Sequence, residues 1–290
     1  ECPVCGDNLF TESVLKPEVF HPEDGRQLRE SDTDQEITYA TYAQFPIPED
    51  ATNQFQFALA GKKVSATYGE DCKLITLNRG ALVNEEATGF NVCKKCGRSS
   101  TKPQSGSHTR PYFPEYNFKE RYSKQCDGEF ENVYLGHDFS TDLLLLRFDI
   151  DDPVASDISH IGNLRIIEDA LYSVSEALKI AASTHPQLDL DDSEFGVGFR
   201  VVPKTETSNL AFDVYLYDTL SGGGGYSEMA FKNIQEILQN TLELLSDCKN
   251  NCESSCQHCL RHYRNQHIQE RLDRHLGYDL LRYALEGELN

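Results

Sequence analysis

Cys248, Cys252, Cys256 and Cys259 place four thiols within a short stretch of chain. Such a run can fold onto one tetrahedral ion with metal–sulfur bonds of about 2.3 Å. Zinc suits it, because zinc accepts all-thiolate ligation and needs no redox partner. Four protein sulfurs leave no position for a catalytic water, so the expected role is structural. An iron–sulfur cluster is the rival reading, and unligated buried cysteines are the third.

A second constellation is Cys93-Lys-Lys-Cys96-Gly97, a knuckle spacing, followed by His108 and Cys126. Two completions compete. Cys93, Cys96, His108 and Cys126 close a site within one loop-rich block, and short closures cost less entropy. Alternatively, Cys2 and Cys5 supply the other knuckle and the site is interrupted by a β meander. Cys2 and Cys5 could also belong to a third site completed by residues upstream. One or two Zn²⁺ ions are therefore expected, with that third site left open. Cys72 lies in a strand-like stretch and reads as a core thiol.

Two further motifs concern anions. Asp218-Thr-Leu-Ser-Gly222-Gly223-Gly224-Gly225-Tyr226 stands between a strand and a helix. It reads either as a tight turn or as a loop whose N–H groups, at Gly223 and Gly224 among others, meet a nucleic-acid backbone. No Gly-Lys-Ser/Thr follows, which excludes an ATP-binding P-loop. Arg261, Tyr263, Arg264, Asn265, Gln266, Arg271 and Arg274 combine cations, an aromatic ring and amides suited to phosphate contact and base stacking. The same arginines could instead balance a zinc–tetrathiolate centre of net charge −2. Asp149, Asp151, Asp152, Asp191, Asp192 and Glu194 are the residues a metal nuclease would use. They lack a Glu-x-Lys partner on a following strand and read as solvated turns.

The chain carries 27 Lys and Arg against 47 Asp and Glu, a net charge of −20. That rules out uniform coating of nucleic acid. The charge is uneven: −9 over residues 1–60, +1 over 61–150, −12 over 151–247 and zero over 248–290. Most of the cysteines lie in the two near-neutral blocks, so DNA contacts are expected beside them. No run of about 18 apolar residues exists, so no membrane-spanning helix is expected. No secretory leader is visible, which points to the cytoplasm and makes the knuckles metal sites rather than disulfides. Residue 1 is Glu and the only methionine is Met229, so the chain reads as a piece of a longer protein.

The elements that must position these groups follow from periodicity. Short β-like segments run from Ile37 to Val83, and Asp142–Ile150 reads as a buried strand. Apolar residues at spacings of three and four mark a helix over residues 163–184. Phe195–Val202 and Leu210–Leu220 pair as antiparallel strands, and helices are expected over Tyr226–Leu245 and Ile268–Leu285. The fold class is α+β. A β-rich module with zinc knuckles (1–136) precedes a β-α-β-β-α unit with the four-cysteine cluster and a C-terminal helix (137–290).

The glycine loop, followed by Cys252-Glu-Ser-Ser-Cys256-Gln-His-Cys259-Leu-Arg-His-Tyr-Arg-Asn-Gln266 and Leu272-Asp-Arg274, resembles the MrfA-like zinc-binding domain. That domain stands at the C-terminal end of certain DEAD/DEAH-box DNA helicases and in DrmB-type proteins of DISARM anti-phage systems. Lys16-Pro-Glu-Val-Phe20, Gly89-Phe-Asn-Val-Cys93, His108-Thr-Arg-Pro-Tyr112 and Leu135-Gly-His-Asp-Phe-Ser-Thr-Asp142 extend the resemblance over most of the chain. It implies that Cys248, Cys252, Cys256 and Cys259 are the zinc ligands. It also implies an accessory region beside a helicase motor, fused or separate, that helps engage single-stranded DNA in repair or antiviral defence. Ser221, where proline is frequent, and Lys249-Asn-Asn251 depart from the pattern without touching the ligands. The Walker lysine and DExH box are absent from these residues, so ATP hydrolysis belongs to the motor.

Overall fold

The computed structural model describes residues 13–17, 39–44, 55–83, 86–100, 102–111, 125–151, 161–191, 193–202 and 210–287. Cys2 and Cys5 lie outside them. Among the described residues are twelve strands: β1 (Val14–Leu15), β2 (Tyr39–Gln44), β3 (Phe55–Leu59), β4 (Val64–Val83), β5 (Glu86–Ala87), β6 (Phe90–Cys93), β7 (Ser99–Ser100), β8 (His108–Thr109), β9 (Gln125–Cys126), β10 (Phe130–Ile150), β11 (Phe195–Val202) and β12 (Leu210–Asp218). The helices are α1 (Ile161–Ser183), α2 (Tyr226–Lys232), α3 (Ile234–Ser246), a 3-10 segment (Tyr263–Arg271) and α4 (Arg274–Glu286).

The chain divides into two compact units. Among the described residues, one comprises those within Ala43–Ile75 and Asp138–Asn290, the other those within Phe10–Tyr42 and Thr76–His137. Both β4 and β10 contribute residues to each unit.

In the first unit β12 lies between β10 and β11, antiparallel to both, with Leu146 opposite Val214 and Val214 opposite Phe199. Side chains alternate across a strand, so Leu144, Leu146, Phe148 and Ile150 enter one core with Phe212, Val214 and Leu216. Leu171, Val174, Leu178 and Ala182 of α1 cover them, joined by Ile237 and Leu238 of α3 and Leu281 and Ala284 of α4. The intervening Leu143 and Leu145 meet Cys72, Leu74 and Tyr215 in a smaller cluster. All four leucines of Leu143–Leu146 are therefore buried, as a continuous apolar run requires.

Two expected helices are interrupted. At Asn233 the backbone leaves helical geometry (φ −108°, ψ 18°), and the side-chain amide donates to the carbonyl of Met229. Asparagine competes with the helical ladder in this way, so Tyr226–Leu245 becomes α2 and α3. The stretch Ile268–Leu285 begins inside the 3-10 segment and breaks at Leu272–Asp273. Asp273 then caps α4, its Oδ1 accepting from the N–H groups of His275 and Leu276 at 2.8 and 3.3 Å, the usual Asp role at a helix start. Gly287 closes α4 at φ 78°, the left-handed end that glycine permits.

In the second unit β6 runs antiparallel to β7 and to β10, placing Cys93 opposite Phe130. β8 and β9 form a separate two-residue ladder with His108 opposite Cys126.

Candidate metal centres

The C-terminal cluster is built in the loop that leaves α3. Cys248 and Cys256 stand 3.6 Å apart at sulfur, Cys252 and Cys259 3.7 Å, and Cys256 and Cys259 3.8 Å. Metal–sulfur bonds of about 2.3 Å in a tetrahedron set sulfur–sulfur edges of about 3.8 Å, whereas a disulfide needs about 2.05 Å. The four thiols are free of disulfides and already occupy the corners a zinc ion requires. Backbone N–H groups of Cys256 and His258 point at Cys259 Sγ and Cys256 Sγ, at 3.2 and 3.4 Å. The N–H groups of Asn250 and Cys252 hold the Cys248 thiol down at about 6 against the opposing effect of burial. Burial pushes the Cys259 thiol up to about 12. Thiolate is the form in which each of these ligands binds a metal.

The second cluster gathers Cys93, Cys96, His108 and Cys126, with all four ligand atoms within 4.8 Å of one another. Cys93 Sγ and Cys126 Sγ are 3.8 Å apart, and Cys96 Sγ lies 3.3 Å from His108 Nε2. His108 Nδ1 stands 3.0 Å from the carbonyl of Gly106, an outer contact that leaves Nε2 to face the metal. The Cys93–Cys96 turn closes through Gly97, at φ 73°, whose N–H donates to the Cys93 carbonyl at 2.9 Å. The β8–β9 ladder then delivers His108 and Cys126 from opposite strands. Of the two completions the sequence allowed, the described residues assemble this local one. Burial, the largest influence on Cys93, is outweighed by the N–H groups of Lys95 and Cys96, leaving that thiol at about 7.

Both donor sets fit Zn²⁺, and each fills four positions with protein atoms, so bound zinc would supply cross-linking rather than a reactive water. Gly128 is required at the second centre. A Cβ there would stand 2.6 Å from Cys93 Sγ and 2.6 Å from Lys95 Cβ, with Cys126 Sγ at 3.4 Å. We expect Gly128→Ala to lower the metal content at this centre while leaving the C-terminal one loaded. Full occupancy of both, read by elemental analysis, would contradict the packing argument.

The four-cysteine loop follows strands β11 and β12 and helix α3 within one continuous stretch that a protein family shares. Residues 174–260 match the MrfA Zn-binding domain. The match ends just past Cys259 and so contains all four thiols of the C-terminal centre. A relative, Druantia protein DruE of Escherichia coli (strain UMEA 4076-1), is 50% identical over 291 residues, 99% of this chain but 16% of that protein. The chain thus spans about a sixth of the length of the curated relative it matches. The crystal structure of the DUF1998 helicase MrfA bound to DNA is 16% identical, with a TM-score of 0.39, covering 81% of this chain and 26% of that one.

Around the MrfA Zn-binding match, the residues expected to meet nucleic acid divide by burial. Asn265 is 2% exposed; its amide donates to Glu176 and to the Leu260 carbonyl. Arg274 donates to the carbonyls of Leu245, Ser246 and Cys252, joining the last turn of α3 to the thiol loop. Arg271 pairs with Glu168 and Asp169 and lies over the Tyr172 ring. Arg261 donates to Ser255 Oγ at 2.9 Å. The Gly223 N–H donates to the Leu220 carbonyl, and the Gly224 N–H to the Asp218 carboxylate. Tyr263, 67% exposed, and the neighbouring Arg264 and Gln266 face solvent.

Sequence reasoning missed Glu176. This carboxylate, buried beside Lys179 at 3.4 Å, accepts from His262 at 2.7 Å and from Asn265 at 3.1 Å. Burial would raise it, but His262, Lys179 and Asn265 together hold it below the ordinary carboxylate range. It fastens the 3-10 segment to α1. Its only trace in the chain is a carboxylate three residues before Lys179 on the helix.

Among the described residues, no carboxylate belongs to a group gathered for a metal. Asp151 pairs with Lys63. No helix among them is long and apolar enough to cross a membrane.

Proposed function

We propose that this chain is a non-catalytic zinc-binding accessory region of a larger ATP-dependent DNA helicase, helping engage single-stranded DNA in anti-phage defence. The observation that carries the reading is the 50% identity to Druantia protein DruE along 99% of the chain. That likeness favours a defence setting over repair. The great length of that relative favours a motor in the same chain over a separate partner subunit, as in the DrmB-type alternative. Two closed ligand sets support a scaffold and binding role, and the lack of a carboxylate metal group among the described residues counts against a metal nuclease.

On the C-terminal segment the contact would fall to Tyr263, Arg264 and Gln266, where a ring can stack on a base and a guanidinium can meet a phosphate. Stacking is worth about 1–3 kcal/mol per base. Tyr263→Ala combined with Arg264→Ala should therefore weaken binding of a fluorescent oligonucleotide by roughly 10-fold or more, with metal content unchanged. Equal affinity in the double variant would remove this segment as a contact. No binding by the parent chain would remove the single-strand reading itself.

A further inference from the structure

Residues 87–111 contain Lys94, Lys95, Arg98, Lys102 and Arg110 and no Asp or Glu, in a chain of net charge −20. The Cys93–Cys96–His108–Cys126 cluster fixes where these cations stand. Lys94 and Lys95 occupy the turn between the first two ligands, both exposed. Arg98 leaves that turn and donates from Nη1 to the carbonyl of Thr109 at 2.8 Å. Arg110 donates from Nε to the carbonyl of Gln125 at 3.4 Å. Thr109 and Gln125 lie directly opposite each other in the β8–β9 ladder. Both guanidinium groups are thus set by backbone carbonyls at one register, one residue from the ligands His108 and Cys126.

Lys102 extends the series into the exposed loop 102–107, beside Ser105 and Ser107. Two ion pairs among the described residues here, Lys94 with Glu131 and Lys95 with Asp127, involve exposed side chains. Pairs of that kind hold little free energy and yield to a competing anion. Lysine, arginine and hydroxyl side chains on a fixed hairpin are the groups that contact phosphate and sugar without reading bases.

We propose that the hairpin face carrying Lys95, Arg98, Lys102 and Arg110 around the Cys3His centre grips the phosphate backbone of single-stranded DNA. This rests on the single-strand reading above and names a surface separate from Tyr263 and Arg264. The metal centre serves as its frame, holding the cations at fixed spacing.

The test uses the full chain, fluorescent oligo-dT and oligo-dA, and a series of salt concentrations. Lys95→Ala with Lys102→Ala leaves the ligands and the arginine anchors in place, and elemental analysis confirms the metal. Each phosphate contact on a single strand contributes about 0.7 to the slope of log affinity against log salt. The double variant should lose about 1.4 from that slope, equally for both oligonucleotides. An unchanged slope, or a loss confined to one base, overturns the proposal. If the parent chain binds no single strand, the functional reading falls together with it. If the Tyr263 and Arg264 variant weakens binding while the lysine variant does not, only this inference falls.

Discussion

Replacing Cys256 by Ala is expected to unfold the segment from the end of α3 through α4. Cys256 Sγ lies 3.6 Å from Cys248 and 3.8 Å from Cys259, and its carbonyl accepts from the N–H of Arg261. The loop between α3 and the 3-10 segment contains no helix or strand of its own, so few backbone bonds remain to hold it when the ion is gone. Structural zinc contributes about 10–16 kcal/mol in small domains, comparable with the whole stability of a folded domain of about 5–15 kcal/mol. Leu260, fully buried beside the ligand Cys259, would leave the core with the loop. Elemental analysis should fall from two ions, one per ligand group, to one, and the melting curve should lose its cooperative transition. Acid should act in the same direction. Once pH drops below about 6 even the Cys248 thiol is protonated, and protons then compete with the metal for every ligand. Iron in the pure protein, or two ions retained by the variant, would overturn the assignment.

Asp218→Ala should produce the next largest loss. The side chain of Asp218 is fully buried, and its two oxygens accept from four donors. Gly224 N and Tyr226 N meet Oδ2 at 2.7 and 3.0 Å, while Ser227 N and Ser227 Oγ meet Oδ1 at 2.8 and 2.6 Å. Thr141 Oγ1 donates to the Asp218 carbonyl at 2.7 Å, fastening the same turn to β10. Gly223 takes φ 80° with a Cβ position only 2.5 Å from the Asp142 carboxylate, so a side chain does not fit at this point of the loop. Truncation leaves the buried N–H and hydroxyl of Ser227 without this acceptor, each at about 1–3 kcal/mol. We expect a total near 4 kcal/mol, or a melting temperature lower by about 8–16 °C for a domain of this size. Asp218→Asn should lie between, since the amide keeps one acceptor and turns donors toward the rest. An alanine variant melting within a degree or two of the parent would show that water replaces the carboxylate.

The legible parts of the site were the local ones. Four cysteines close in sequence need no long-range contact to meet, so their spacing announced the C-terminal centre. His108 and Cys126 were legible as residue types, but the ladder that brings them together is two residues long and leaves no periodic trace. Gly128 escaped because its constraint is a neighbour across space, Cys93. The arginines show the deeper difficulty. Arg264 and Arg274 look alike in the chain, yet one faces solvent while the other spends its donors on carbonyls of α3 and the thiol loop. Only the packing tells which carbonyls lie within reach. The glycine loop is similar: instead of meeting a phosphate, its Gly224 N–H and the N–H groups that follow donate to the internal Asp218 carboxylate. Helix positions were read well and helix ends less so, because Asn233 and Asp273 act through one or two local hydrogen bonds rather than through pattern.

The way β4 and β10 feed both units bears on how the protein can be taken apart. The stretch that matches the MrfA Zn-binding domain, 174–260, does not contain the whole of the core it packs into. Cutting there would remove Leu144, Leu146 and Phe148 from beneath α1, and Leu281 and Ala284 from beside it. It would also remove Arg274, the guanidinium that ties α3 to the thiol loop. Division at residue 137 severs β10 itself and separates Val64 and Ala66 of β4 from the core they help close. Resemblance and autonomy therefore have different borders in this chain: the stretch that matches a known domain is stabilised by residues drawn from both sides of it.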